Sequence, residues 1–586
     1  MVRTVFDSLV HFNCNGEWEM ATRKTKPLTR RQFIANSALA AVGLSIASRA
    51  KPLFAAQTGQ KRLVMMGGRR TAGFANHGRS DTELTGLVDA GLAGQNPVTL
   101  ERFPWLAEEL PSVNKGTWKI DRQKKTMVTV YRLRSGLKWS DGKPHTAQDF
   151  KFGWEVHRHP EFPLRDRLVP DMIEKIETPD DRTIAIHWKA LYTEAHAIQK
   201  QQLRAWPRHI LQDAFQAGDI KGLVRDAYWN QKFIGTGPYR LLDWGGGAQI
   251  ETEANPYYAL GKPKIDRVTF KVVEDSNTAL SAMLAGEVDF ALRDTLSFDG
   301  ALVLKEQWEA KGLGTISIRP ITFRWLNLSG TNPLFKDVRV KRALLHAIDR
   351  NTMVNNIFRG VAPIIHFPLS PFRKAYKRAD QGALKYEYNV DKAKQLLSEA
   401  GFTTGSDGVL ANAKGERMEF EFRTEAGSRE DEQAQAIIVD YWKKIGVRAQ
   451  IKNLAPRVFN SEEFRNRWPG AALGGQNLVV EEWAERFHSA GTPTAENRWA
   501  SESVSLWQNP QADKIMDELN TIIPEARATD LQVEFVKLFT RDLPYLPLYY
   551  RLEWLAIRKG LSGITPRIES GGQNMNTWNM HQWDKT

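Results

Sequence analysis

Residue types able to do covalent or metal chemistry are few in this chain of 586 residues, and their spacing does not suit it. The one cysteine is Cys14, so beyond it there is no thiolate nucleophile, disulfide or cysteine metal ligand. His157-Arg158-His159 offers imidazoles at i and i+2 without an H-E-x-x-H pattern or a cysteine partner, and reads as surface histidines. Gly235-Thr236-Gly237-Pro238 and Gly245-Gly246-Gly247 lack the lysine and helix start of a phosphate cradle, and read as turns. No Walker loop, no G-x-G-x-x-G opening a helix and no G-x-S-x-G elbow is present. Glu481 and Glu482 are adjacent carboxylates, but neighbours on a helix point apart, so they read as a solvated face rather than an acid/base pair. No catalytic residue, metal ligand or cofactor is assigned, and the chain is not expected to be an enzyme.

Tryptophan is the unusual residue, with 19 in the chain, several beside a charge: Arg324-Trp325, Trp442-Lys443, Arg467-Trp468, Glu482-Trp483 and Arg498-Trp499. Most suit core or inter-domain packing. A large flat side chain with a polar edge also suits a buried cleft that grips a medium-sized solute. Arg324, Trp325 and Trp483 are candidate solute contacts on that ground.

The elements that would carry such a cleft follow from periodicity. Arg62 to Met66 reads as a strand closed by Gly67-Gly68, and Met127 to Arg134 alternates as a strand does. Asp141-Gly142 is a turn signal, and Thr146 with Asp149 reads as a capping box opening a helix. Ser276 to Ala285 is helical, stops at Gly286 and gives way to a strand from Val288 to Leu292. Asp337 caps a helix with Val340, Leu344, Ile348 and Ile357 on one face, and Asp391 caps another that ends at Gly401. Glu430 to Ile445 is a third helix, ended by Gly446 before the strand Val447 to Ile451. The class is mixed α/β.

At 66.6 kDa the chain exceeds one compact core, so two or three domains are expected. The formal charge is +13, of which residues 1–55 carry a net +5; the remainder is spread out, which argues against nucleic acid as a partner. Arg30-Arg31, an uncharged stretch from Phe33 to Ser48 and the small residues near Ala55 make an export signal of twin-arginine type, with cleavage expected near Ala55. Met20 would start a leader of ordinary length, so residues 1–19 read as an upstream over-extension.

The segment Tyr131-Arg132-Leu133-Arg134-Ser135-Gly136-Leu137-Lys138-Trp139-Ser140-Asp141-Gly142-Lys143-Pro144-His145-Thr146-Ala147-Gln148-Asp149-Phe150 closely resembles the signature of the family 5 extracellular solute-binding proteins, with Trp139 in place of the usual Phe. Gly235 to Tyr239, Asn255 to Tyr258, Pro333 to Arg350, Asp391 to Phe402 and Asp542 to Leu548 resemble its further motifs, in the right order. The resemblance runs from about residue 100 to 550. It implies a bilobed periplasmic-binding-protein fold with an additional small domain and a hinge. The first lobe would comprise 56–100, 232–325 and 545–586, the small domain 101–231 and the second lobe 326–544. It implies capture of a peptide or peptide-like solute, delivery to the membrane permease of an ABC importer, a periplasmic location and a monomer.

Peptide binders of this family often carry a G-W-x-x-D-Y-x-D-P-like segment whose first Asp pairs with the α-ammonium. The stretch from Ala471 to Trp483 corresponds to it, and Gln476 and Asn477 stand near the Asp position. Gln476, Asn477 and Glu481 therefore join the candidate contacts. A free amine would need another acid, such as Glu481 or Glu482. The alternatives are a sugar oligomer, an amino-acid conjugate or a metal chelate as solute, a chaperone or sensor partner on the same fold, and a Tat-exported enzyme.

Overall fold

The computed structural model describes residues 9–12, 18–21, 59–68, 73–74, 82–163, 167–292, 295–459, 461, 469–476, 479–494, 505–521, 524–569, 571 and 575–586. The chain divides into two compact units, Met1–Gln60 and Lys61–Thr586. In the first, strands Leu9–Phe12 and Trp18–Ala21 pair antiparallel, Leu9 opposite Ala21 and Phe12 opposite Trp18. The arginine pair, the apolar stretch and the cleavage position near Ala55 lie outside the described residues.

The second unit is built on a ten-stranded mixed sheet. One half holds Tyr239–Asp243, Gln249–Ala254, Arg267–Val272, Arg62–Gly67 and Phe290–Ala291; the other holds Ala471–Gln476, Glu419–Glu425 and Arg448–Leu454. Two long antiparallel strands, Gly314–Leu328 and Leu546–Arg558, run between the halves, paired from Gly314 opposite Arg558 to Leu326 opposite Leu546. Register shifts at Pro320/Thr322 and Arg324/Trp325 bend this pair, as bulges do. The bilobed α/β fold follows: two half-sheets, each covered by its own helices, joined by a bent two-strand connection. A separate antiparallel sheet of Trp118–Asp121, Thr126–Arg132, Thr183–Trp188 and Ile173–Glu177, in that order, forms the small additional layer.

Local sequence rules explain most boundaries. In Thr126–Arg132 the residues Met127, Thr129 and Tyr131 are buried and their neighbours are not, the period-two pattern of a half-buried strand. Helix Ala147–Arg158 starts where Asp149 accepts the Thr146 amide at 2.8 Å. Helix Ser276–Ala285 is capped by Asp275, which accepts the Thr278 amide, and ends at Gly286 with φ 80°. Gly235 and Gly237 have a different reason: a Cβ there would lie 2.0 Å from the Val88 carbonyl and 2.3 Å from the Asp89 amide, so the turn presses on that backbone.

Three readings need correction. The helix expected from Asp337 through Ile357 is two helices, Val338–His346 and Arg350–Phe358, because the Asp349 carboxylate accepts the Thr352 amide and starts a second one. Helix Val390–Glu399 is capped by Asn389, whose side chain accepts the Lys392 amide; Asp391 sits in the first turn. His157 is fully buried rather than on the surface, and its Nε2 accepts the Trp206 indole N–H at 3.1 Å.

Candidate functional site: a cluster of charges around Arg373

Four charged side chains from distant parts of the chain, Arg102, Arg373, Glu481 and Glu569, act on one another. Arg373 follows the turn at Ser370 and precedes helix Tyr376–Gly382, whose Ala379 packs in a core with Phe367, Trp483, Phe487 and Phe535. Its guanidinium donates to both Glu481 carboxylate oxygens, Nη1 to Oε1 and Nη2 to Oε2, at 3.1 Å each. It also donates to Glu569, through Nε to Oε2 at 3.2 Å and through a shorter Nη2 contact to Oε1. Glu569 belongs to the C-terminal segment, whose Ile568 amide donates to the Pro97 carbonyl at 3.0 Å. Arg102, on the short strand Arg102–Pro104, lies close enough to act on the Glu481 charge.

The two acids differ in kind. Glu481 is exposed, with 32% of its side chain open to solvent. Burial opposes its charge, but Arg373 and then Arg102 outweigh that and hold the carboxyl down at about 2. Glu569 is fully closed off; burial pushes its carboxyl up, Arg373 resists and the Glu481 charge adds to the rise. Burial works against the Arg373 charge too, and the two carboxylates more than offset it. Arg102 spends Nη2 on Glu194 at 2.5 Å, while Nη1 is buried with no hydrogen-bond acceptor among the described residues. A buried guanidinium N–H without a partner is costly.

The other candidates from the sequence occupy different surroundings. Glu482 does not share the cluster: it pairs with Arg486 one helical turn on, at 2.5 Å. Trp483 is 2% exposed, donates its indole N–H to the Pro368 carbonyl at 3.0 Å and stacks on Phe535 with 4.2 Å between centroids. Arg324 makes a buried bidentate pair with Asp431, Nε to Oδ1 at 2.9 Å. Trp325 stacks on Tyr545 at 4.3 Å and 11°. Arg324 and Trp325 are thus engaged in core contacts along the long strand, beside the second register shift. Gln476 ends strand Ala471–Gln476, opposite Phe323; its side chain and all of Asn477 lie outside the described residues. Arg102, Arg373 and Glu569 escaped the sequence reading because no local spacing links positions 196 residues apart.

Among the described residues no group of three or more His, Cys, Asp or Glu is placed to hold a metal ion, and no helix is long and apolar enough to cross a membrane.

The two half-sheets and their bent two-strand connection make the bilobed α/β fold of the solute-binding class. The chain belongs to the bacterial extracellular solute-binding proteins, family 5, whose model matches residues 102–486. It is similar to the oligopeptide-binding protein AppA of Bacillus subtilis, with 26% identity over 451 residues that cover 76% of this chain and 80% of that one. The fold matches the solved structure of AppA in complex with a nonapeptide at a TM-score of 0.75 and 23% identity, covering 90% of this chain and 99% of that one. It also matches NikZ from Campylobacter jejuni in complex with Ni(L-His) at a TM-score of 0.73 and 22% identity, over 89% and 99% of the two chains.

Proposed function

We infer that this chain is the exported solute receptor of an ABC importer, which captures a peptide or peptide-like solute between its lobes and hands it to the membrane permease. The observation that carries the reading is membership of the solute-binding family, together with a solvent-open Glu481 carboxylate held by Arg373. An ammonium taken out of water needs an anionic partner, because desolvating an unpaired charge costs several kcal/mol. Glu481 offers one beside the Ala471–Gln476 strand, where Gln476 and Asn477 are not acids. The unpaired Arg102 Nη1 offers a complementary donor for a solute carbonyl or carboxylate.

The first lobe spans 56–100, 232–325 and 545–586, the small domain 101–231 and the second lobe 326–544. The four strands of the small sheet, all between Trp118 and Trp188, support that division, as does the long-strand pair at the 325/326 boundary. Export by a twin-arginine signal is supported by Arg30-Arg31 and the uncharged Phe33 to Ser48 stretch. The receptor works as a monomer in the periplasm and without catalytic turnover; Trp325, Trp483, Arg324, Gln476 and Asn477 are kept as candidate contacts. Mass spectrometry of solute released from natively expressed protein tests the reading. Recovery of peptides supports it, and recovery of nothing but a sugar or a metal chelate replaces the solute class.

The second reading, a metal chelate, is favoured by the likeness to the nickel–histidine complex. Calorimetry with Ni(L-His) beside a tripeptide separates the two.

A further inference from the structure

We propose that residues 564–569 form a latch between the lobes, with Glu569 as its bolt and Arg373 as its catch, so that the chain's own ion pair stabilises closure before any solute arrives. The segment is fixed on the first-lobe side at several points. Ile564 packs on the core that holds Leu63, Phe270 and Trp583. The Pro566 carbonyl accepts from Arg319 Nη1 at 3.2 Å, on the first-half end of a long strand. Arg567 pairs with Glu553 at 2.6 Å and approaches Glu83 at 3.8 Å. The Ile568 amide is held by Pro97. The next residue, Glu569, turns to the other lobe and meets Arg373, which is itself fixed from behind by Glu481.

Anchors on one side and an ion pair on the other make a device that opens only when the pair separates. Glu569 is fully enclosed and Arg373 keeps 18% of its side chain exposed, so separation exposes both charges and re-forms the pair on closing. A solute that closes the lobes then adds to a bias already present, the population-shift form of hinge closure.

The latch rests on the two-lobe reading but not on the identity of the solute, so its test uses protein stripped of solute by denaturation and refolding. Small-angle scattering reads the radius of gyration of the full chain, E569Q, R373Q and the double variant. The expected result is a larger radius for E569Q than for the parent, and no further increase when E569Q is added to R373Q. Melting curves confirm folding; if the amide variant does not fold, E569D, which shortens the bolt by one methylene, is expected to read as open as well. A radius for E569Q equal to the parent's overturns the latch. So does an E569Q opening of the same size in the R373Q background.

Discussion

Glu481 and Glu569, 88 positions apart in the chain, share one guanidinium, that of Arg373, yet their carboxyls shift in opposite directions. The difference is solvent access: Glu481 keeps a third of its side chain open to solvent and Glu569 keeps none. In the proposed function the first acid receives a solute cation, and in the proposed latch the second is the bolt.

Glu481→Gln is therefore expected to weaken binding of a free-amine tripeptide more than binding of its N-acetylated form. Loss of a charge-assisted contact of about 1.5–3 kcal/mol is roughly tenfold in affinity or more. Calorimetry with both peptides on parent and variant gives the answer, and equal losses for the two would exclude Glu481 as the amine's partner.

Arg102→Met is expected to reduce affinity for a peptide carboxylate and leave a C-terminally amidated peptide less affected, since the unpaired Nη1 is the donor on offer. Parallel titrations of acid and amide forms check this. A variant with parental affinity for both forms would contradict it.

The Arg324–Asp431 pair fastens the long strand Gly314–Leu328 to helix Arg429–Lys443, and both side chains are over 90% buried. Asp431→Asn leaves a buried guanidinium uncompensated and should cost about 3–5 kcal/mol in denaturant unfolding. Replacing both residues by apolar side chains should cost less than that single change. A cost under about 1 kcal/mol for Asp431→Asn would mean that other groups neutralise Arg324.

Lys200 is buried, and burial pulls its ammonium down to about 7, with Asp89 opposing the fall and Arg204 assisting it. Between about 7 and the ordinary value of 10.5 the unfolded chain holds a proton that the folded chain has released. Stability from this group thus rises with pH across that window, and its penalty is fully present below 7. Lys200→Met should remove that slope. Urea midpoints of parent and variant at pH 6 to 10 should converge as pH rises, and parallel curves would contradict the assignment.

The family signature was legible because it sits in local backbone rules. The Thr146–Asp149 box, the Asp275 cap and the Gly286 stop each need only a few neighbouring residues. The break at Asp349 was hidden because the apolar face continues in register across it, and only the side-chain acceptor restarts the backbone ladder. His157 looked like a surface residue because its partner, Trp206, lies 49 positions away. Glu481 could be found through the motif beside it. Arg102, Arg373 and Glu569 have no such neighbour, and their meeting is set by how the two half-sheets and the C-terminal segment come together.

The most direct test of solute capture is calorimetric titration of refolded, solute-free protein with a mixed tri- to nonapeptide library, followed by mass spectrometry of what is retained. Saturable binding at one site per chain, with peptides retained and closure visible as a smaller radius of gyration, is the expected result. No saturable binding, together with recovery of no peptide from natively expressed protein, would contradict peptide capture by this chain.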